Sequence, residues 1–116
     1  MKKTFLAFAG VLMLFGIGSQ GYSQQEITDT EIVIGSNQDM SGPFAGFGAP
    51  AMSATKQYFD EINAKGGVHG RKLKLIVEDN GYQLPKAMQA MNKLVNSDKI
   101  FIMYMQLGTH INNATF

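Results

Sequence analysis

The 116-residue sequence contains no cysteine. Intrachain disulfides and a lipid-modified cysteine are therefore excluded, and covalent cross-links give no help with stability. A surplus of charge of one sign is missing too: ten basic and nine acidic side chains give a formal net charge of +1. That balance argues against a nucleic-acid surface, which shows clustered Lys and Arg. Histidine occurs only at His69 and His110. Neither has a second histidine or a carboxylate at helical ligand spacing, so no metal site is expected. Ser41 has no Gly-x-Ser-x-Gly pattern around it, so a nucleophile elbow is excluded. Asp60-Glu61 and Glu78-Asp79 are adjacent carboxylates, and neighbouring positions on a helix or strand do not face one another as an acid/base dyad would. Gly66-Gly67-Val68-His69-Gly70 has the glycines of a dinucleotide loop but follows a helical pattern rather than a strand. Neither catalysis nor a cofactor is expected. Internal repeats and low-complexity segments are also absent.

What is present begins with an address. Met1-Lys2-Lys3 is a short basic start, and Thr4 to Ile17 is almost entirely apolar or small. Gly21-Tyr22-Ser23 places small residues at the first and third positions before a cut. This order of basic, apolar and cleavage regions is that of a secretory signal peptide over residues 1–23. The alternative is an uncleaved anchor, which the apolar run is too short to favour, since a span needs about 20 residues. Export to the periplasm or beyond is expected. Removal of residues 1–23 leaves 93 residues with eight basic and nine acidic side chains. That length supports one domain with a modest core. Of the eight methionines, most fall on apolar faces as flexible filler.

Gln24 to Thr30 is a polar lead-in. Glu31 to Asn37 reads as a first strand. Ala49 to Lys65 has a helical pattern, with Met52, Thr55, Phe59 and Ile62 on one face, Tyr58 beside it, and Pro50 in the first turn. Gly66-Gly67 stops that helix, one of them in the left-handed C-terminal position, and His69 reads as a turn residue. Lys72 to Glu78 alternates into a second strand that starts near an exposed edge. Pro85 to Asn96 gives a second helix with Ala87, Met88, Met91, Leu94 and Val95 on one stripe. Ile100 to Met105 is a continuous apolar run, which predicts a central strand covered on both faces. A third helix begins around Thr109. The order predicts an α/β fold, a parallel βαβαβ sheet with right-handed crossovers. The last pattern is incomplete at Phe116, so a truncated domain is expected.

Asp39 to Gly48 joins the first strand to the first helix. With three glycines and one proline it reads as a loop rather than an element interior. In open α/β sheets ligands bind where strands end and loops feed helices. Ser41 offers a hydroxyl there and Phe47 an aromatic face. The plain alternative is an ordinary connection. Gly108-Thr109 leaves the third strand and opens a helix, where free N–H groups and the helix dipole favour a carboxylate. The alternative there is that Thr109 is only an N-cap.

Three stretches together carry a resemblance. The first is Met40-Ser41-Gly42-Pro43 with Gly48. The second runs from Glu61 to Leu73 around Asn63-Ala64-Lys65-Gly66-Gly67. The third is Glu78-Asp79-Asn80-Gly81-Tyr82 through Pro85, followed by Leu94-Val95 and Gly108-Thr109. Their order and spacing resemble the branched-chain amino acid binding protein family, the type I periplasmic solute-binding proteins of ABC importers, over nearly all of residues 24–116. The resemblance implies two α/β lobes that close on a small solute, with residues 24–116 forming part of the N-terminal lobe. It implies a small-molecule solute (an amino acid, amide or aromatic acid) and, for a full-length receptor, an ABC importer membrane permease as partner. It places Ser41 at the cleft, Phe47 against the ligand side chain, and Gly108 and Thr109 at the ligand carboxylate. Tyr82 falls where some relatives have a cysteine whose partner would be near Leu107, and both cysteines are absent here. Asp79-Asn80 replaces a pair that is often Asp-Asp. The Gly-Tyr and Gly-Thr variants resemble the branch that takes amides, aromatic acids and other solutes. The other functional readings are a ligand-sensing domain of a receptor or regulator and a non-functional gene fragment.

Overall fold

The computed structural model describes residues 27–116. The signal peptide read over residues 1–23 lies outside the described residues. The order is β1 (Glu31–Gln38), α1 (Ala45–Ala64), β2 (Lys72–Asp79), α2 (Leu84–Asn92), a π-helical turn (Lys93–Ser97), β3 (Ile102–Met103) and α3 (Thr109–Thr115). The strands form a parallel sheet in the order β2-β1-β3, with Glu31 opposite Lys72 and Ile34 opposite Ile102. The expected parallel α/β arrangement is therefore present, with β1 as its centre.

Alternation along β2 assigns the layers. Leu73, Leu75 and Val77 share one face of the strand, and they border α1 residues Met52 and Phe59 along a groove of about 360 Å³. Ile76 points to the other face, where it packs against a buried cluster of Val33, Leu94 and Ile100, with Met103 alongside. Helical structure therefore covers both faces of the sheet. Met52, Thr55 and Phe59 are buried, as the helical spacing predicts, whereas Tyr58 stands exposed.

The turn from α1 into β2 explains its glycines. Gly66 N donates to Asn63 O at 3.2 Å and Gly67 N to Ile62 O at 2.9 Å, the paired bonds of a Schellman cap. Both glycines have positive φ, and a Cβ on Gly67 would lie 2.0 Å from Arg71 O. Asn63 then docks on the edge strand: its Nδ2 donates to Leu73 O at 2.9 Å and its Oδ1 accepts from Leu73 N at 2.8 Å. This stitches the end of α1 to the start of β2. His69 is a turn residue, with φ of 50° between Val68 and Arg71, which exchange backbone bonds.

Three sequence expectations need correction. First, α1 starts at Ala45 rather than Ala49, so Pro50 lies inside the helix and not in its first turn. A side chain invisible to helix periodicity is responsible: the Asp39 carboxylate accepts N–H bonds from Gly42 and Phe44 and closes the preceding turn early. Second, α2 gives way at Lys93 to a wider turn in which Asp98 N bonds Lys93 O. Ala87, Ala90 and Leu94 face inward, while Met88 and Val95 are exposed. Third, Ile100 to Met105 is not a central strand covered on both faces. Only Ile102 and Met103 are in strand geometry, they pair only with β1 among the described residues, and Phe101, Ile102, Tyr104 and Met105 are all exposed. The apolar run needs a further layer that the described residues do not supply.

Candidate functional site

Because the strands are parallel, all three end on the same side of the sheet. The chain leaves β1 toward β2 and later returns to the opposite flank of β1 as β3. The carboxyl ends of β1 and β3 therefore border the place where the winding direction reverses, which is where crevices form in open α/β sheets.

The first wall is the turn from β1 to α1. Asp39 is fully buried, and its two carboxylate oxygens hold the N–H groups of Gly42 and Phe44, the latter at 2.7 Å. The Asp79 carboxylate at the end of β2 accepts from Met40 N at 2.9 Å and Gly81 N at 3.0 Å. Gly48 lies so close to the Asp39 carbonyl that a Cβ would come within 2.1 Å of it. A Cβ on Gly42 would be 2.5 Å from Gly81 O, so the turns after β1 and β2 touch backbone to backbone. Glycine here permits an approach that any side chain would block.

Ser41 is exposed and follows Met40, whose N–H the Asp79 carboxylate holds. The Ser41 hydroxyl is the largest influence holding the Asp79 carboxyl below its ordinary value of 3.8; the Met40 and Gly81 N–H groups and the Lys86 charge act in the same direction, against a smaller opposing effect of burial. A depressed carboxyl adds stability above the unfolded pKa and loses it as pH falls through the folded one. The stability difference between the natural chain and an Asp79→Asn variant should therefore be present at neutral pH. It should shrink as pH drops below 3.8, as read by denaturant melts across an acid series.

The second wall is the turn into α3. Gly108 is the N-cap, with φ of 115° and no side-chain capping bond, and Thr109 is the first helical residue. The reading of Thr109 as the N-cap is thus corrected: the chain enters α3 through a backbone shape that suits glycine. Thr109 is exposed. Phe47 sits in the first turn of α1, 70% exposed, and forms no ring pair among the described residues. The structure thus puts Ser41 and Gly108 on the two walls and leaves Phe47 open on the first helix.

Sequence reasoning missed what joins the walls. Phe44 and Tyr82 have ring centroids 4.5 Å apart, and Tyr82 and His110 are 4.6 Å apart in an edge-to-face pair. Behind them lies a buried amide chain: Tyr82 N donates to Asn80 Oδ1, Asn80 Nδ2 to Asn37 Oδ1, and Asn37 Nδ2 to Ala87 O, at 2.7, 2.9 and 2.9 Å. The only sequence signal for this chain was a polar end on an otherwise apolar strand. The groove between α1 and β2 is lined by none of the expected site residues and reads as a helix–sheet seam. Among the described residues no group of three His, Asp or Glu could hold a metal ion.

Comparisons with known proteins agree with this geometry. Residues 31–115 match the family described as periplasmic binding protein. An amino acid binding protein of Pseudomonas aeruginosa is 34% identical over 98 residues, covering 84% of this chain and 25% of its own length. The Leu/Ile/Val-binding protein of Escherichia coli K12 is 31% identical over 87 residues, covering 75% of this chain and 23% of its own. Among solved structures, a fatty acid ABC transporter substrate-binding protein from Thermomonospora curvata superposes with a TM-score of 0.71 at 32% identity, over 76% of this chain and 22% of that one. The chain thus spans about a quarter of the length of the curated relatives it matches. On the match across residues 31–115 and these likenesses, the chain belongs to the periplasmic binding protein family, within the branch of the branched-chain amino acid binding proteins.

Proposed function

We propose that the chain is an extracytoplasmic solute-binding component of an ABC importer, taking amino acids or related small carboxylates and amides. It binds rather than catalyses. Residues 24–116 supply part of an N-terminal lobe, and residues 1–23 direct export. The observation that carries this reading is the convergence of the β1–α1 and β3–α3 turns at the winding reversal of the sheet in a member of this family. The solutes for which these relatives are named, amino acids and a fatty acid, share a carboxylate. We assign Gly108 and Thr109 to that carboxylate, Ser41 to the crevice edge and Phe47 to the solute's side chain. The partners are the solute and, for a full-length receptor, a membrane permease.

Magnitudes limit what these residues can do alone. Covering Phe47 contributes about 1.5–3 kcal/mol, and a carboxylate at the start of a helix about 0.3–2 kcal/mol. Together they reach roughly the 4 kcal/mol of a millimolar complex, before association entropy is subtracted. Titrating the isotope-labelled chain with L-leucine, L-phenylalanine and acetamide should therefore give millimolar or weaker binding. The shifted amides should cluster at Ser41, Phe47, Gly108 and Thr109. Shifts centred elsewhere, or hydride transfer with a nicotinamide cofactor, would overturn the reading. Micromolar calorimetric binding by this chain would refute the need for a second lobe.

A further inference from the structure

Tyr82 combines two features that belong together. Its φ is 60°, a region that bulky L-residues rarely adopt and that glycine enters freely. Such outliers persist where the surroundings over-determine them. Two sets of contacts do so here. The Tyr82 N–H is taken by Asn80, which is itself fully buried and tied to Asn37 of β1. The ring is held between Phe44, from the turn after β1, and His110, from the first turn of α3. Gly108 leaves room for it, since a Cβ there would lie 3.0 Å from Tyr82 Cε2.

We propose that Tyr82 is a positioning residue whose ring, wedged between Phe44 and His110 and against Gly108, sets the spacing of the two turns that flank the crevice. The ring acts on the two turns rather than on solute. It acts through Gly108 and the first turn of α3, by denying them the freedom to collapse onto the β1–α1 turn or swing away from it. The purpose of the crevice rests on the solute-binding reading above; the wedge itself rests on the ring geometry. Its test therefore uses no solute, and failure of either idea leaves the other standing.

The experiment compares the natural chain with Tyr82→Phe and Tyr82→Gly by NMR. Glycine removes the ring while easing the backbone, so loss of the fold through local strain is avoided. In the natural chain and Tyr82→Phe, the His110 ring protons should carry the same ring-current shift, and the Asn112 amide, which donates to Gly108 O at 2.8 Å, should exchange equally slowly. In Tyr82→Gly the shift should vanish and exchange at the Asn112 amide should rise about ten-fold or more, while Val33 and Ile34 in β1 stay protected. Unchanged exchange in Tyr82→Gly would overturn the proposal. So would a Tyr82→Phe variant that behaves like Tyr82→Gly, or a rise in exchange that extends equally into β1.

Discussion

Leu94→Ala should lower the stability of this chain by about 2–5 kcal/mol. Leu94 is fully buried at the junction of the π-helical turn and the sheet, against Val33 and Ile100, and a Cβ on Gly35 would be only 3.2 Å from its Cδ2. Deleting the side chain removes its transfer free energy and leaves a cavity that a backbone this close-set can fill only in part. For a domain of this size each kcal/mol moves the melting temperature by about 4–8 °C, and total stabilities run to only about 5–15 kcal/mol. Thermal melts should therefore show a fall of tens of degrees or no cooperative transition. Leu94→Met, which keeps the volume, should cost less than about 1.5 kcal/mol. Equal losses in the two variants would mean that volume at this position is not what matters.

Asp39→Ala should rank second, at about 3 kcal/mol, from two backbone bonds to a carboxylate at about 1.5–3 kcal/mol each and partial rescue by water. Its effect should be local before it is global. The Gly42 and Phe44 N–H groups lose their acceptors, and with them the turn that lets α1 begin at Ala45. Hydrogen exchange should accelerate through residues 41–48 well below the denaturant concentration at which β1 unfolds. Asp39→Asn keeps one acceptor oxygen and should fall between. If residues 41–48 and β1 lost protection together in Asp39→Ala, the turn would be part of the core rather than a separately held wall.

The element order was legible in the sequence because it rests on local periodicity. The face of α1 with Met52, Thr55 and Phe59, the glycine stop at Gly66-Gly67 and the charged edge of β2 are short-range signals, and all three appear in the fold. The errors came from long-range contacts. Nothing in Ile100 to Met105 says that β1 is its one neighbour strand among the described residues, since apolar residues describe what a strand would bury and not what covers it. Nothing in the α2 pattern announces a π-helical turn over Lys93–Ser97, in which Leu94 is buried and Val95 exposed. Of the proposed site, the positions of Ser41 after β1 and Gly108 before α3 were readable, because strand ends and glycine turns are. Tyr82 was not: its place depends on a positive φ and on rings contributed by two other turns.

The central position of β1 has a kinetic consequence. The first strand made is the one both others must find: Glu31 waits for Lys72 and Ile34 for Ile102, across roughly forty and seventy residues of intervening chain. Among the described residues the β1–β2 and β1–β3 ladders are both parallel and non-local, so neither can be nucleated by a hairpin. Contact order of this kind slows folding relative to helical domains of equal length. A chain emerging N-terminus first would carry β1, with Val33 and Ile34 uncovered, until β2 follows. Among the described residues the sheet cannot begin to close until Lys72–Asp79 has been made.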